Sequence, residues 1–163
     1  MVLDETVRVL DALDGAGVRH WVAGGWGVAA LIGRQTREHR DLDLAVDATD
    51  LDAATDVLAA LGYHPETDWL PVRAEYVAPG RGWVDLHPLR FDADRSATQA
   101  ALDGPDFVYP ADAFTLGALA GRRVPCLSPA QQRLFHQGYE PAEKDLHDLA
   151  ELERLDGAPR DTG

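Results

Sequence analysis

The sequence predicts an α+β fold, in which helices flank a twisted mixed β-sheet. Two observations predict it. Near both ends of the chain, apolar residues repeat every three or four positions, as they do along one face of a helix. Between Pro71 and Phe91, by contrast, the segment is strand-like on either side of a Pro-Gly turn, which is typical of a β-hairpin.

In the first part of the chain, helical and strand-like segments alternate. The predicted elements are a helix over 3–14, a strand over 18–23, a helix over 26–32, a strand over 41–46 and a helix that ends at 61. Gly33 is expected to close the second helix as its C′ residue. Thr49 or Asp50 is expected to cap the third helix, because these side chains accept hydrogen bonds from the free N–H groups of a first turn.

The rest of the chain contains shorter elements. They are the hairpin with its turn at 79–82, short strands over 107–109, 114–119 and 122–126, a helix capped by Ser128 that runs to about 137, and a last helix over 142–155. The last helix is expected to turn Leu146, Leu149, Leu152 and Leu155 inward. We interpret residues 1–157 as one domain, with a helical C-terminal part over 126–157 and a frayed tail over 158–163.

Charge and length argue against some functional classes. With 28 acidic and 15 basic side chains among 163 residues, the net charge of −13 argues against a protein that binds duplex nucleic acid, because such a surface repels phosphates. An acidic surface favours cationic partners, or serves solubility alone. The longest uncharged run, Trp21 to Gly33, has 13 residues and is too short to span a bilayer. Since no signal-peptide pattern is present and Cys126 is the single cysteine, a soluble cytoplasmic protein is expected.

Three aspartates on predicted strands are the centre of the expected chemistry. Asp41 and Asp43 form a D-x-D pair, and because side chains alternate along a strand, both carboxylates point to the same face. Like charges this close favour a bound cation, and oxygen ligands suit Mg²⁺ or Mn²⁺. Asp85 lies on the second strand of the hairpin and shares a face with Trp83 and His87. Three carboxylates suffice for two-metal phosphoryl transfer, in which Asp85 would also accept the proton of an attacking hydroxyl.

Gly24 and Gly25 lie between a predicted strand and the helix that follows it. Because they have no side chain, they allow backbone N–H groups at the start of a helix to approach phosphate oxygens. Arg40, directly before the D-x-D pair, either holds ATP phosphates or is a solvated loop charge. Each motif alone is most often a surface pair or a turn, and only their order and spacing together indicate a site.

That order resembles a known family. GGW is followed after 14 residues by DLDL, and later by WVDLHPLRF. This pattern resembles the minimal nucleotidyltransferases of the DNA polymerase β superfamily. The segments GGWGVAALIGRQTREHRDLDLAV and VDLHPL look like the lincosamide and aminoglycoside 2″-adenylyltransferases, a branch of antibiotic nucleotidyltransferases. The resemblance extends through VPCLSPAQQRLFHQGYEPAEKDLHDLAEL and covers roughly residues 18–155.

The resemblance implies a nucleotidyltransferase fold whose C-terminal helices close the cleft. The residues that it places in the site are Gly24 and Gly25 as the turn that faces the phosphates, Asp41 and Asp43 as ligands of Mg²⁺, and Asp85 as third metal ligand and base. Lys144 matches a position where such proteins often carry a basic residue that reaches the nucleotide phosphates. The alternative is an ordinary exposed lysine on a helix.

The implied activity is transfer of AMP, or another nucleoside monophosphate, from ATP to a hydroxyl of a small cationic acceptor such as an aminoglycoside or a lincosamide. Neither nucleic acid nor membrane is expected as a partner, and a homodimer is possible because so short a domain can borrow part of its acceptor pocket from a second copy. Two alternatives stay open. One is an antitoxin-like binding module that pairs with a helical toxin. The other is a homologue that binds nucleotide without transferring it, suggested by Ala29, where the family carries an aspartate.

Overall fold

A computed structural model describes residues 1–137 and 140–157, so the predicted frayed tail over 158–163 lies outside the described residues. The helices are α1 (Leu3–Gly15), α2 (Gly24–Ile32), α3 (Leu51–Ala60), α4 (Pro129–Phe135) and α5 (Glu143–Gly157). The strands are β1 (His20–Val22), β2 (Asp41–Asp47), β3 (His64–Trp69), β4 (Arg73–Ala78), β5 (Gly82–Phe91), β6 (Ala97–Gln99), β7 (Phe107–Tyr109), β8 (Phe114–Leu119) and β9 (Arg122–Leu127).

The strands form one mixed sheet, which confirms the predicted α+β class. Its order is β3-β4-β5-β2-β1-β9-β8, with β6 paired to β5 and β7 paired to β6. Strand β2 runs parallel to β5, and β1 runs parallel to β9, while the remaining pairs are antiparallel. Within the described ranges, no helix has the length and apolar character needed to cross a membrane.

The two faces of the sheet carry different groups. Leu42 and Leu44 of β2 are buried in the larger apolar cluster, which also contains residues of α1, α2 and α3. Because side chains alternate along a strand, Asp41 and Asp43 point to the opposite face. That face carries a smaller apolar cluster, against which Phe135 of α4 packs. The predicted functional residues therefore lie on the less covered face of the sheet.

The predicted cap of α3 is wrong. Asp50 precedes the helix, but its side chain makes no cap hydrogen bond. It accepts instead from Arg19, whose Nε lies 2.9 Å from Asp50 Oδ2. The side chain of Asp47 caps the short 3₁₀ turn before α3, since its Oδ1 accepts from the Thr49 backbone N–H at 2.9 Å. Because Arg19 binds the carboxylate of Asp50, this carboxylate does not cap α3.

The predicted inner face of α5 is right for Leu152, which is buried, but wrong for Leu146. Leu146 is 56 % exposed, whereas Asp145, Asp148 and Glu151 are buried together with Leu152. Residues spaced by three are about 300° apart on a helix, so four leucines at this spacing spread over about 180° instead of forming one stripe. The helix therefore presents a largely acidic face to the rest of the molecule.

The elements around the C-terminal half also have different bounds from those predicted. The helical part begins at Pro129, because Cys126 and Leu127 belong to β9. Ser128 caps α4 as predicted, accepting from the Gln131 N–H at 3.4 Å, but the helix ends at Phe135. Strand β3 was not predicted, because it is a polar, mostly exposed strand at the sheet edge.

Strand β8 lies directly on helix α2 at Gly117. A Cβ at this position would lie 2.4 Å from the backbone oxygen of Ala30. We expect Gly117→Ala to lower the free energy of unfolding by about 1–3 kcal/mol, because the strand and the helix would have to separate. Urea denaturation followed by circular dichroism measures the change.

Gly15→Ala is the matched control. Nothing lies within 4 Å of a Cβ built on Gly15, at the end of α1. Because alanine has the higher helix propensity, we expect stability to stay the same or to rise by up to about 1 kcal/mol. Equal unfolding midpoints for wild type and Gly117→Ala would contradict the close packing of β8 on α2.

Candidate active site

Parallel pairing of β2 with β5 brings predicted carboxylates together. Asp43 lies directly opposite Asp85, and Asp41 lies opposite Trp83. In the described part of the chain, one ligand atom from each of Asp43, Asp85 and His87 lies within 4.8 Å of the other two. Asp41 is not part of this cluster and borders the cleft at the start of β2. The structure therefore brings Asp43 and Asp85 into one centre, with Asp41 beside it.

The two carboxylate oxygens of Asp85 have different surroundings. Its Oδ2 accepts from the guanidinium of Arg73 on β4 and forms an ion pair with it. Its Oδ1 is buried and has no hydrogen-bond partner among the described residues. Burial raises the pKa of Asp85, against the opposing charges of His87 and Arg73. A buried oxygen without a partner is costly, so Oδ1 is suited to a ligand or a proton.

Asp41 is a second carboxylate whose charge is disfavoured. Burial raises its pKa, and the neighbouring charge of Asp43 raises it further, while Arg40 and Lys144 act in the opposite direction. Like-charged carboxylates with this property are stabilised by a cation placed between them.

Gly24 and Gly25 begin α2 where this helix meets β2. Gly24 has a φ of +55°, and a Cβ on it would lie 2.1 Å from Asp43 Oδ2. A Cβ on Gly25 would lie 2.4 Å from Nδ1 of His39. An added Cβ would displace the side chain of Asp43 or His39, and at Gly24 the positive φ favours glycine as well. The predicted contact of Gly24 and Gly25 with phosphates stays a prediction.

A polar cavity of about 380 Å³ lies beside this glycine turn. Every predicted site residue except Asp85 lines it, namely Gly24, Gly25, Arg40, Asp41, Asp43 and Lys144. Arg40 packs over the ring of Trp83 at 4.4 Å, and its Nη2 lies 3.5 Å from Glu75 Oε1. Lys144 is exposed in the first turn of α5. Two cationic side chains, Arg40 directly before β2 and Lys144 on α5, therefore border the polar cavity.

Arg37 and His39 also line the polar cavity but have structural partners. Arg37 forms a bidentate pair with Asp148 of α5, with Nε 2.8 Å from Oδ1 and Nη2 2.5 Å from Oδ2. The ring of His39 lies 4.4 Å from that of Trp26. Burial, reinforced by the charge of Arg37, lowers the pKa of His39 to about 4. The ring of His39 is therefore uncharged near neutral pH and forms part of the wall of the polar cavity.

A second cavity of about 380 Å³ has a different character. Its walls are mostly apolar, with Phe107, Tyr109 and Phe135 as the aromatic side chains. Gly24 and Asp43 line both this apolar cavity and the polar one. The two cavities thus meet at the glycine turn and the D-x-D strand.

His87 lies between the apolar cavity and the carboxylates. Its Nε2 is 3.8 Å from Asp43 Oδ1 and 3.7 Å from Asp85 Oδ2. Its Nδ1 is 3.1 Å from Nε2 of Gln99. Oε1 of the same Gln99 amide accepts a hydrogen bond from the hydroxyl of Tyr109. Burial lowers the pKa of His87, but the nearby carboxylates of Asp43 and Asp85 raise it by more.

The sequence did not reveal Arg73 or Gln99 as site residues. A signal existed for Arg73: counting back across the hairpin turn places Glu75 opposite Asp85, and Arg73 shares its face. No such signal existed for Gln99, which lies in the polar and acidic segment over 92–106. Ala29 is fully buried in the larger apolar cluster and lines neither cavity, so its side chain does not border the carboxylates.

Known proteins are similar to this one along nearly the whole chain. The sequence profile of the family described as Aminoglycoside-2''-adenylyltransferase matches residues 5–152. A lincosamide resistance protein from Staphylococcus haemolyticus is 37% identical over 151 residues, which cover 93% of this chain and 94% of that protein.

Two solved structures are similar as well. The lincomycin-bound lincosamide antibiotic adenylyltransferase LnuA has a TM-score of 0.87 and 36% identity, with 95% of this chain and 98% of that chain covered. ANT(2")-Ia in complex with adenylyl-2"-tobramycin has a TM-score of 0.73 at 19% identity, with 95% and 92% covered, and so shares the fold. The match to the family profile, together with the relative at 37% identity, shows that the chain belongs to the aminoglycoside-2''-adenylyltransferase family.

Proposed function

We propose that this nucleotidyltransferase moves AMP from ATP to a hydroxyl of a lincosamide antibiotic and releases pyrophosphate. The observation that carries the proposal is the meeting of two unlike cavities at Gly24 and Asp43. The polar cavity suits a triphosphate, and the apolar cavity suits an acceptor with hydrocarbon surface. A hydroxyl of an acceptor in the apolar cavity would face the α-phosphorus of a triphosphate in the polar cavity, with the carboxylates between them.

The polar cavity offers the groups that a triphosphate needs. Arg40 and Lys144 supply positive charge, and the backbone N–H groups of Gly24 and Gly25 begin a helix whose N-terminus favours anions. Arg37 is paired with Asp148, so it holds α5 in place and is not the main phosphate ligand. Because ATP is a cytoplasmic nucleotide, we place the reaction in the cytoplasm.

The carboxylates fit a divalent cation. Asp41, Asp43 and Asp85 offer only oxygen atoms, which Mg²⁺ and Mn²⁺ prefer, and Oδ1 of Asp85 is buried without a partner among the described residues. When bound, such a cation offsets the charge of the triphosphate and lowers the pKa of the attacking hydroxyl. We assign the metal to these three aspartates.

We assign Asp85 as the group that takes the proton of the acceptor hydroxyl. As the hydroxyl oxygen bonds to the α-phosphorus, the bond between this phosphorus and the bridging oxygen to the β-phosphorus breaks, and pyrophosphate leaves. The hydroxyl proton passes to the carboxylate of Asp85, whose Oδ2 accepts a hydrogen bond from Arg73. It then returns to solvent.

The apolar cavity favours a lincosamide over an aminoglycoside. Among the described residues that line it, Asp43 is the only carboxylate, and His87 and the Tyr109 phenol are the only other ionisable side chains. An aminoglycoside carries several ammonium groups, and each would need a polar partner once it left water. A lincosamide joins a sugar with several hydroxyls to an apolar alkylproline, and the similar LnuA structure has lincomycin bound.

Incubation with Mg-ATP and lincomycin tests the proposed reaction. We expect an AMP adduct of lincomycin by mass spectrometry, and little or no adduct of tobramycin, because the cavity offers few partners for its ammonium groups. Tight ATP binding without any adduct would contradict the proposal and favour a homologue that only binds nucleotide.

Replacement of the shared carboxylate tests the assigned centre. We expect Asp43→Asn to lower kcat/KM for lincomycin by at least about a thousandfold, because loss of a metal ligand removes several kcal/mol of charge stabilisation. Asp52→Asn makes the same chemical change at an exposed position on α3 and should leave the rate unchanged. Similar rates for both variants would contradict the role of Asp43.

The aromatic wall gives a separate test of the acceptor site. Phe107 lines the apolar cavity and is 49 % exposed, so a bound acceptor can cover it. We expect Phe107→Ala to raise KM for lincomycin by about 5- to 30-fold through lost apolar contact, with KM for ATP unchanged. The adjacent Val108, exposed and outside the lining, provides the control Val108→Ala. Equal effects of both variants would contradict this acceptor site.

A further inference from the structure

Gln99 uses its whole amide group in hydrogen bonds beside the apolar cavity. The residue is 7 % exposed. Its Nε2 lies 3.3 Å from the backbone oxygen of Val72 and 3.1 Å from Nδ1 of His87. Its Oε1 accepts a hydrogen bond of 2.5 Å from the hydroxyl of Tyr109. The amide is therefore held from three sides.

These partners determine which way the amide faces. A backbone carbonyl oxygen only accepts hydrogen bonds, so the Gln99 atom beside Val72 must be the nitrogen. The Tyr109 hydroxyl then donates to Oε1, which is consistent with the same orientation. The amide nitrogen has no lone pair to offer, so the contact with His87 requires Nδ1 to be the acceptor.

The proton of the His87 ring is thereby assigned to Nε2. Because Nδ1 accepts from Gln99, the neutral ring carries its hydrogen on the other nitrogen. Nε2 faces Asp43 and Asp85, whose ionised carboxylates only accept, so they favour the same tautomer. These carboxylates also favour a second proton on the ring, but it would have to go on Nδ1, against the amide hydrogens of Gln99.

We propose that His87 is a fixed Nε2–H donor that selects an oxygen atom of the acceptor, and that it is not a metal ligand. A nitrogen that carries hydrogen has no lone pair for a metal. The cluster of Asp43, Asp85 and His87 therefore supplies two oxygen ligands and one hydrogen-bond donor. The selection of the acceptor rests on the proposed function, whereas the tautomer follows from the hydrogen bonds alone.

The donor determines which acceptor chemistry fits. His87 lines the apolar cavity next to Asp43, where the reacting hydroxyl would lie. A neighbouring hydroxyl, ether or carbonyl oxygen can accept from Nε2–H, whereas an ammonium group would oppose one donor to another. An acceptor with adjacent sugar hydroxyls satisfies both His87 and the carboxylates.

Nitrogen-15 NMR of the ligand-free protein tests the tautomer directly. Correlation of ring nitrogens with ring carbon-bound hydrogens distinguishes protonated from unprotonated nitrogen, and we expect the hydrogen of His87 on Nε2. In Gln99→Glu, where a carboxylate replaces the amide donor, we expect a second hydrogen on Nδ1, so that both ring nitrogens are protonated. A hydrogen on Nδ1 in the wild-type protein would overturn the proposal.

Two variants of His87 separate a donor from a ligand. His87→Leu removes the donor, whereas His87→Gln places an amide N–H near the former Nε2. We expect His87→Leu to keep Mn²⁺ affinity within about twofold of wild type, while Asp85→Asn lowers it by at least about tenfold. For lincomycin, we expect His87→Leu to raise KM by about tenfold, as for one lost hydrogen bond, and His87→Gln to restore most of it.

Each outcome decides one part of the proposal. Equal loss of Mn²⁺ affinity in His87→Leu and Asp85→Asn would make His87 a ligand and overturn the assignment. An unchanged KM for lincomycin in His87→Leu would overturn the selection of the acceptor. If wild type does not modify lincomycin at all, the proposed function fails, while the NMR and Mn²⁺ measurements still decide the tautomer and the metal role.

Discussion

The parallel pairing of β2 with β5 is the constraint on which the rest of the site depends. It fixes Asp43 opposite Asp85 in a largely buried sheet, where two carboxylates repel each other and lose hydration. The surrounding residues are adapted to this pair. A Cβ on Gly24 would lie 2.1 Å from Asp43 Oδ2, so the absence of a side chain leaves room for this carboxylate. Arg73 donates to one oxygen of Asp85. The same pairing leaves one oxygen of Asp85 buried without a partner among the described residues.

The C-terminal helix α5 is attached through charge instead of hydrocarbon. Asp148 is 1 % exposed and accepts two hydrogen bonds from Arg37, a residue 111 positions earlier in the chain. A buried ion pair of this kind contributes orientation more dependably than net stability, because desolvation offsets much of its attraction. Its consequence here is geometric. It sets α5 beside the segment that leads into β2, so that Lys144 borders the same polar cavity as Asp41 and Asp43.

The sequence predicted the α+β class, most elements and the carboxylates, because these depend on local patterns: alternation, helical spacing and glycine turns. Asp43 and Asp85 were predicted to share a site, and the structure pairs them directly. The sequence did not predict what depends on contacts between distant segments. The acidic inner face of α5 follows from Arg37, the cap before α3 follows from Arg19, and the role of Gln99 follows from Val72 and Tyr109. Apart from Gln99 and Tyr109, which are 10 positions apart, the residues in each of these contacts are at least 27 positions apart in the chain. Helical or strand periodicity therefore cannot predict these contacts.

Asp43 belongs to both cavities, and this links the two binding equilibria. A ligand in either cavity changes the charge and hydration of the same carboxylate, and so changes the affinity of the other cavity. Linkage requires that the factor be equal in both directions. In the proposed reaction, a carboxylate shared between the two cavities would therefore couple nucleotide and acceptor by the same factor, whichever of them binds first.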